Sequence, residues 1–311
     1  MKIVFMGTPE FAVRPLESLA GNGYEVAVVY TQPDKAVGRG RVLEESPVKK
    51  MALQLGLPIL QPTNLKSPEV QAQLAELKPD AIVVAAFGQI LPPAVLAIPP
   101  YGCINIHPSL LPRFRGTAPV PAAILSGDEF TGVSIMLLDK GVDTGPVLAK
   151  TQVPILPEDT TGSLMEKLAR IGAQLLLDVL PRWYRKELKP QPQGDAVATY
   201  TKMLTKEVGE IDWHLTAVEI WRRVRAYQPW PGCCARWQGK QLKILEAVPM
   251  AGEGVTEPGR VVTVAKGPTV FGIGTGDGVL GIVKVQLEGK KVMTSGEFLR
   301  GQRNFVGAVL H

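Results

Sequence analysis

The chain is 311 residues long, and its 34 Lys+Arg against 29 Asp+Glu leave a net charge of +5. With 45% apolar side chains it can bury one large core or two ordinary ones, which excludes collagen-like, disordered and mini-protein classes. The longest uninterrupted apolar run, 81–87, falls far short of the roughly 18–20 residues that span a bilayer. Met1-Lys2 runs straight into the strand-like Ile3-Val4-Phe5-Met6, leaving no room for a secretory leader. Cys103 stands alone and Cys233 and Cys234 are adjacent, so neither a disulfide framework nor a Cys-x-x-Cys zinc pair can be built. A cytoplasmic protein is expected.

From the N-terminus, β-rich apolar runs at 2–6, 25–31, 58–60, 81–86 and 103–107 alternate with helix-period segments at 10–20, 47–55 and 68–77. Runs such as Ala81-Ile82-Val83-Val84-Ala85-Ala86 lack polar alternation, as strands buried on both faces of a parallel sheet do. Segments opening on Pro or Ser-Pro suit a first helical turn. Two further strands, 132–138 and 147–153, flank a glycine-bearing loop and can pair antiparallel. A long helix follows, with Leu164, Leu168, Ile171, Leu175 and Val179 spaced to lie on one stripe.

Lys189-Pro190-Gln191-Pro192-Gln193-Gly194-Asp195 has no helical or strand period and reads as a linker. Beyond it come a helix at 217–226 and short β runs at 233–237, 242–248, 260–264, 270–273 and 279–285. The expected fold is therefore α/β: a Rossmann-like open, mostly parallel sheet with helices on both faces, followed by a small OB-like β-barrel domain. Its boundaries are 1–188, a linker at 189–205, and 206–311. From Lys206 onward, 14 Lys+Arg against 10 Asp+Glu give +4, so the small domain carries most of the basicity. A basic OB-like barrel is a common oligonucleotide platform, although +4 is also ordinary surface charge.

Of three histidines only His107 looks placed for chemistry. Strand alternation sets Asn105 and His107 on one face and Ile104 and Ile106 on the other, at the carboxyl end of a strand, where open α/β sheets bind ligands. An amide donor beside an imidazole can polarise a carbonyl and move a proton; a structural histidine at a strand end fits the local pattern equally well. Asp143, in Gly141-Val142-Asp143-Thr144-Gly145, is the natural third member, or else a turn former. With no nucleophilic Ser or Cys assigned, the set suggests direct transfer without a covalent enzyme intermediate. Gly7-Thr8-Pro9-Glu10 lacks the G-x-G-x-x-G fingerprint, which argues against an NAD site, and the alternating glycines at 272–278 describe a hairpin. Arg39 and Arg41, in a glycine-bearing loop, suit phosphate or carboxylate contact or simple solvation.

At Cys103-Ile104-Asn105-Ile106-His107-Pro108-Ser109-Leu110-Leu111-Pro112-Arg113, then Arg115-Gly116 and Asp143-Thr144-Gly145, the chain resembles the folate-dependent formyltransferases. The resemblance extends through Phe5-Met6-Gly7-Thr8-Pro9-Glu10-Phe11-Ala12, Thr31-Gln32-Pro33-Asp34-Lys35, Ser46-Pro47-Val48-Lys49, Ile211-Asp212-Trp213 and Pro229-Trp230-Pro231, and so covers the whole chain. Pro108 departs from the glycine other members often carry. The resemblance implies transfer of the formyl group of 10-formyltetrahydrofolate to the α-amino group of methionine esterified to initiator tRNA, by a monomer, with no metal. It implies that Asn105 and His107 stabilise the oxyanion while Asp143 sets the His107 tautomer and helps remove the amine proton. It implies that Ser109, Leu110, Leu111 and Pro112 form a folate-binding turn and that Phe87, Gly88, Ile90 and Leu91 line the pterin pocket. Arg39 and Arg41 are implied to meet the tRNA, whose stem the basic domain would hold. Related transferases acting on a phosphorylated amine or an amino sugar, formyl-folate hydrolases, or a non-catalytic RNA-binding protein stay open as alternatives.

Overall fold

The computed structural model describes residues 1–37, 42–251, 257–267, 269–302 and 304–311. They divide into two compact units: Met1–Pro119 with Phe130–Pro154 and Leu164–Lys202, and Val120–Glu129 with Ile155–Ser163 and Met203–His311.

In chain order the first half carries β1 (Lys2–Gly7), α1 (Val13–Gly21), β2 (Glu25–Tyr30), β3 (Lys35–Val37), β4 (Val42–Glu44), α2 (Pro47–Gln54), β5 (Ile59–Leu60), α3 (Pro68–Glu76), β6 (Ala81–Ala85), α4 (Pro93–Leu96), β7 (Cys103–His107), β8 (Arg115–Gly116), α5 (Pro119–Ser126), β9 (Phe130–Leu137), β10 (Val147–Pro154), α6 (Thr161–Tyr184) and β11 (Tyr200–Thr201). Pro47 opens α2 and the Ser46 hydroxyl accepts from the Lys49 N–H, so that helix begins where its capping chemistry lies. The expected helix at 10–20 is a 3₁₀ turn followed by α1.

Seven strands form the central sheet in the order β10-β9-β7-β6-β1-β2-β5. The five from β5 to β7 are parallel, and β9 and β10 add antiparallel at one edge, as expected. All five residues of β6 are buried, which explains its unbroken apolar run. The chain runs outward from β1 through β2 and β5, then returns to β6 and β7 on the other side, leaving a switch point between β1 and β6. Ligands of open α/β sheets bind in such a crevice. The buried face of α6 runs through Leu164, Leu168, Gly172, Leu176 and Val179, so Ile171 and Leu175 are displaced from the expected stripe. The reason is Gly172: a Cβ there would come within 2.8 Å of Ile106 Cγ2, and the helix turns its smallest residue toward the sheet.

Residues 120–129 and 155–163 lie inside the expected first domain yet belong to the second unit. Arg225 donates to the Leu156 and Pro157 carbonyls at 3.0 and 2.9 Å, and the Thr161 hydroxyl donates to the Ala226 carbonyl at 2.6 Å. Residues 189–202, read from composition as linker, belong to the first unit.

The second unit is built on α7 (Ala217–Ala226) and an antiparallel sheet in the order β12-β13-β16-β15-β14, with β17 on β16. Its strands are β12 (Cys233–Trp237), β13 (Lys240–Met250), β14 (Val261–Lys266), β15 (Thr269–Gly274), β16 (Val279–Leu287) and β17 (Met293–Thr294), followed by α8 (Ser295–Gly301). Thr216 and Glu219 form a capping box at the start of α7, and Thr294 and Glu297 do the same for α8. Trp237, Phe271, Phe298 and Phe305 make an aromatic cluster with mostly edge-on contacts, the geometry ring quadrupoles favour.

Candidate active site

The last residues of β7 are held on both sides. Asn105 pairs with Val84 of β6, and His107 lies opposite Ser134 of β9. Ile106 packs toward Gly172 of α6, so the pleat turns Asn105 and His107 to the other face. Both are nearly closed off from solvent, at 8% and 4% exposure.

Asp143 reaches the same place from the loop between β9 and β10, with its backbone in the left-handed region at φ 52°. Asn105 Nδ2 donates to Asp143 Oδ1 at 3.5 Å, and His107 Nδ1 lies 3.7 Å from Asp143 Oδ2. The Gly116 N–H also donates to Oδ2, at 2.8 Å. The three expected residues therefore converge.

His107 Nε2 lies 3.0 Å from the Phe114 carbonyl, which can only accept, so Nε2 carries a hydrogen. Phe114, not Asp143, thus fixes the tautomer, which corrects the expectation above. The ring atom facing the carboxylate is Nδ1, 3.7 Å from Asp143 Oδ2.

The turn after β7 is wired from within. The Ser109 hydroxyl donates to the Arg113 carbonyl at 2.7 Å; Ser134 accepts from the Leu111 N–H at 3.1 Å and donates to the Ser109 carbonyl at 2.7 Å. Ser109 and Leu111 are wholly buried, so their side chains shape the turn rather than face solvent. Lys150 Nζ donates to the Leu111 carbonyl, and burial lowers the pKa of that amine.

Residues 86–91 follow β6 at the switch point. The Phe87 carbonyl accepts from the Thr8 hydroxyl at 2.9 Å and the Gln32 amide at 3.3 Å. The Phe87 ring is core, 2% exposed, whereas Ile90 stands 81% exposed and offers a large open apolar side chain there. Gly88 has φ 85°, which a glycine adopts without strain. Arg39 and Arg41 lie outside the described residues.

Sequence reasoning missed a second set. The Arg115 side chain is 1% exposed; it donates from Nε to Gln193 Oε1 at 3.0 Å, from Nη1 to the Tyr200 hydroxyl at 2.7 Å, and from Nη2 to Asp195 at 3.0 Å. Burial alone would pull the guanidinium down, but the bonds to Tyr200 and Asp195 outweigh it and hold the pKa above its ordinary value. Gln193 Nε2 donates to the carbonyls of Asp143 and Gly145 at 2.8 and 2.7 Å.

Residues 1–180 match the family described as formyl transferase, and residues 203–303 match the formyl transferase C-terminal domain. The chain belongs to the formyl transferase family, a class of enzymes. A curated relative from Dehalococcoides mccartyi, 52% identical over all of this chain and 98% of its own length, is named methionyl-tRNA formyltransferase. So is one from a Roseiflexus species, 48% identical over 97% of this chain and 93% of its own. Within the family the chain groups with the methionyl-tRNA formyltransferases. The fold is shared with WlaRD, described as a sugar 3N-formyl transferase (TM-score 0.66, 20% identity, 94% of this chain and 99% of that one). It is shared also with HypX from Aquifex aeolicus, solved with tetrahydrofolic acid (TM-score 0.62, 20% identity, 98% of this chain); this chain spans 48% of that one. Among the described residues no helix is long and apolar enough to cross a membrane.

Proposed function

We propose that this chain transfers the formyl group of 10-formyltetrahydrofolate to the α-amino group of methionyl initiator tRNA, in the cytoplasm and as a monomer, by direct amine attack. The observation that carries the reading is the convergence of Asn105, His107 and Asp143 in a chain whose full-length relatives are named for methionyl-tRNA.

The bound folate supplies an acyl carbon, and the reaction exchanges one C–N bond for another: the bond to the methionyl nitrogen forms, the bond to the folate nitrogen breaks, and the amine's proton replaces the lost acyl group. An α-amino group has a pKa of about 7.7–8.0, so neutral pH already supplies some free amine. Asn105 Nδ2 is weakly committed at 3.5 Å and is the donor free to turn to a developing oxyanion. Oδ2 of Asp143 accepts from the Gly116 N–H, and Oδ1, bonded only at 3.5 Å by Asn105, is the oxygen placed to receive the amine proton. His107, held through Nε2 by the Phe114 carbonyl, stands beside Asp143 at the same end of β7. Amide, imidazole and carboxylate suffice for the exchange.

The turn at 109–112 and the residues at 86–91 would hold the folate, with exposed Ile90 covering a flat ring. The part of the second unit from Lys206 onward, whose excess of +4 is offset in the unit as a whole by Asp128, Glu129, Glu158 and Asp159, would hold the tRNA, and Arg39 and Arg41 would meet its acceptor end. The test offers formyl-folate with charged initiator tRNA, with a nucleotide-linked amino sugar, or with water alone. Formyl-methionyl-tRNA is the expected product; formyl sugar or free formate without it contradicts the reading.

A further inference from the structure

We infer that residues 191–201 form a strap that sets the geometry of the site, and that Gln193 is the positioning residue that keeps Asp143 within reach of His107 and Asn105. This rests on the reading of Asp143 as the reacting carboxylate.

Asp143 sits in a left-handed conformation between Gly141 and Gly145, in a loop where Asp139 Oδ1 accepts from the Gly141 N–H and the Thr144 hydroxyl at 2.9 and 2.7 Å. Gln193 holds that backbone directly. Its amide nitrogen donates to two carbonyls, those of Asp143 and Gly145, while its amide oxygen accepts from Arg115 Nε. All three contacts need one orientation: a flipped amide would present its oxygen to two carbonyls and its nitrogen to a guanidinium. Arg115 is itself anchored by Tyr200 and Asp195 from the same strap. Gln191 exchanges two backbone bonds of 2.8 Å with Val147, tying the strap to the first residue of β10.

The far end of the strap holds the other half of the site. The Thr199 hydroxyl accepts from the Phe114 N–H at 2.8 Å, its carbonyl accepts from the Arg115 N–H at 2.9 Å, and β11 pairs with β8. Phe114 supplies the carbonyl for His107 Nε2, and Gly116 supplies the N–H for Asp143. Both groups contacting the His107–Asp143 pair therefore lean on one segment, a different role from the passive tether its composition suggests.

The test measures single-turnover formyl transfer to methionyl initiator tRNA by the full chain, as wild type, Gln193→Ala, Gln193→Glu, Asp143→Asn and the Asp143→Asn/Gln193→Ala double variant. Thermal midpoints and hydrogen exchange at 139–147 accompany it. Both Gln193 variants should slow transfer by about 10–100-fold and leave KM for both substrates within about twofold, because misplacement of a reacting group taxes the chemical step. Gln193→Glu should be as slow as Gln193→Ala, since a carboxylate still accepts from Arg115 but donates to neither carbonyl. In the Asp143→Asn background, loss of Gln193 should cost nothing more, and exchange at 139–147 should quicken in both single variants with little change in midpoint. A Gln193→Ala enzyme at the wild-type rate, or an equal further loss in the Asp143→Asn background, overturns the proposal. Asp143→Asn at the wild-type rate would instead overturn the reading of Asp143 itself.

Discussion

Asn105 and His107 reach the site from β7, and Asp143 reaches it from a loop; the two halves are held by different forces. On β7 the backbone is paired on both sides and the opposite face is packed against α6, so the position of the imidazole follows from sheet register and burial. The Asp143 carboxylate has no such support from its own strands. It is held by an N–H from Gly116 and, through its backbone, by a glutamine fifty residues later in sequence. A strand end is stiff by construction, whereas a catalytic loop must borrow stiffness from whatever crosses it.

The largest effect that breaks this comparison is expected at Gly116. Its φ is 104°, and a Cβ would sit 2.5 Å from the Thr201 carbonyl oxygen, so Gly116→Ala must separate the strap from β8. Transfer should fall by about 10–100-fold, while a β7 probe stays unchanged. Next comes Ser134, wholly buried, whose hydroxyl serves both the Leu111 N–H and the Ser109 carbonyl. Ser134→Ala leaves both unpaired and should lower the unfolding free energy by about 1–3 kcal/mol in denaturant titrations. Gly172→Ala presses on Ile106 and Val133 from behind β7 and should cost about 1 kcal/mol, with the activity loss tracking His107 rather than Asp143.

How much of this was legible in the sequence follows the same division. The end of β7 could be read because alternation alone separates Asn105 and His107 from Ile104 and Ile106, and the buried run of β6 announced its neighbour. The strap was read as linker because Pro190, Pro192 and Gly194 carry no period; Gln193 gains its meaning only from Asp143 and Arg115, fifty and seventy-eight residues away. The α6 stripe slipped by one residue because a glycine, invisible to an apolar count, makes the closest approach. Helix α8 is seven residues long, too short for its period to show. The Phe87 ring was assigned to a pocket, yet it fills the core and leaves its carbonyl to the crevice.

A smaller effect sharpens the comparison from the strand side. Burial pushes the Cys103 thiol, at the start of β7, up to about 12, so it stays protonated and unreactive in the folded chain at neutral pH. Alkylation of Cys103, followed by mass spectrometry, should thus report opening of β7 and stay slow in Gly116→Ala and Gln193→Ala alike. Rapid labelling in either variant would mean that the strap also holds the strand.

The most direct measurement is single-turnover formyl transfer from 10-formyltetrahydrofolate to methionyl initiator tRNA, comparing wild type with Asn105→Ala, His107→Ala and Asp143→Asn. Each variant should bind tRNA as the wild type does and lose about two or more powers of ten in the chemical step. A His107→Ala or Asp143→Asn enzyme that transfers formyl at the wild-type rate would contradict the assignment of the site.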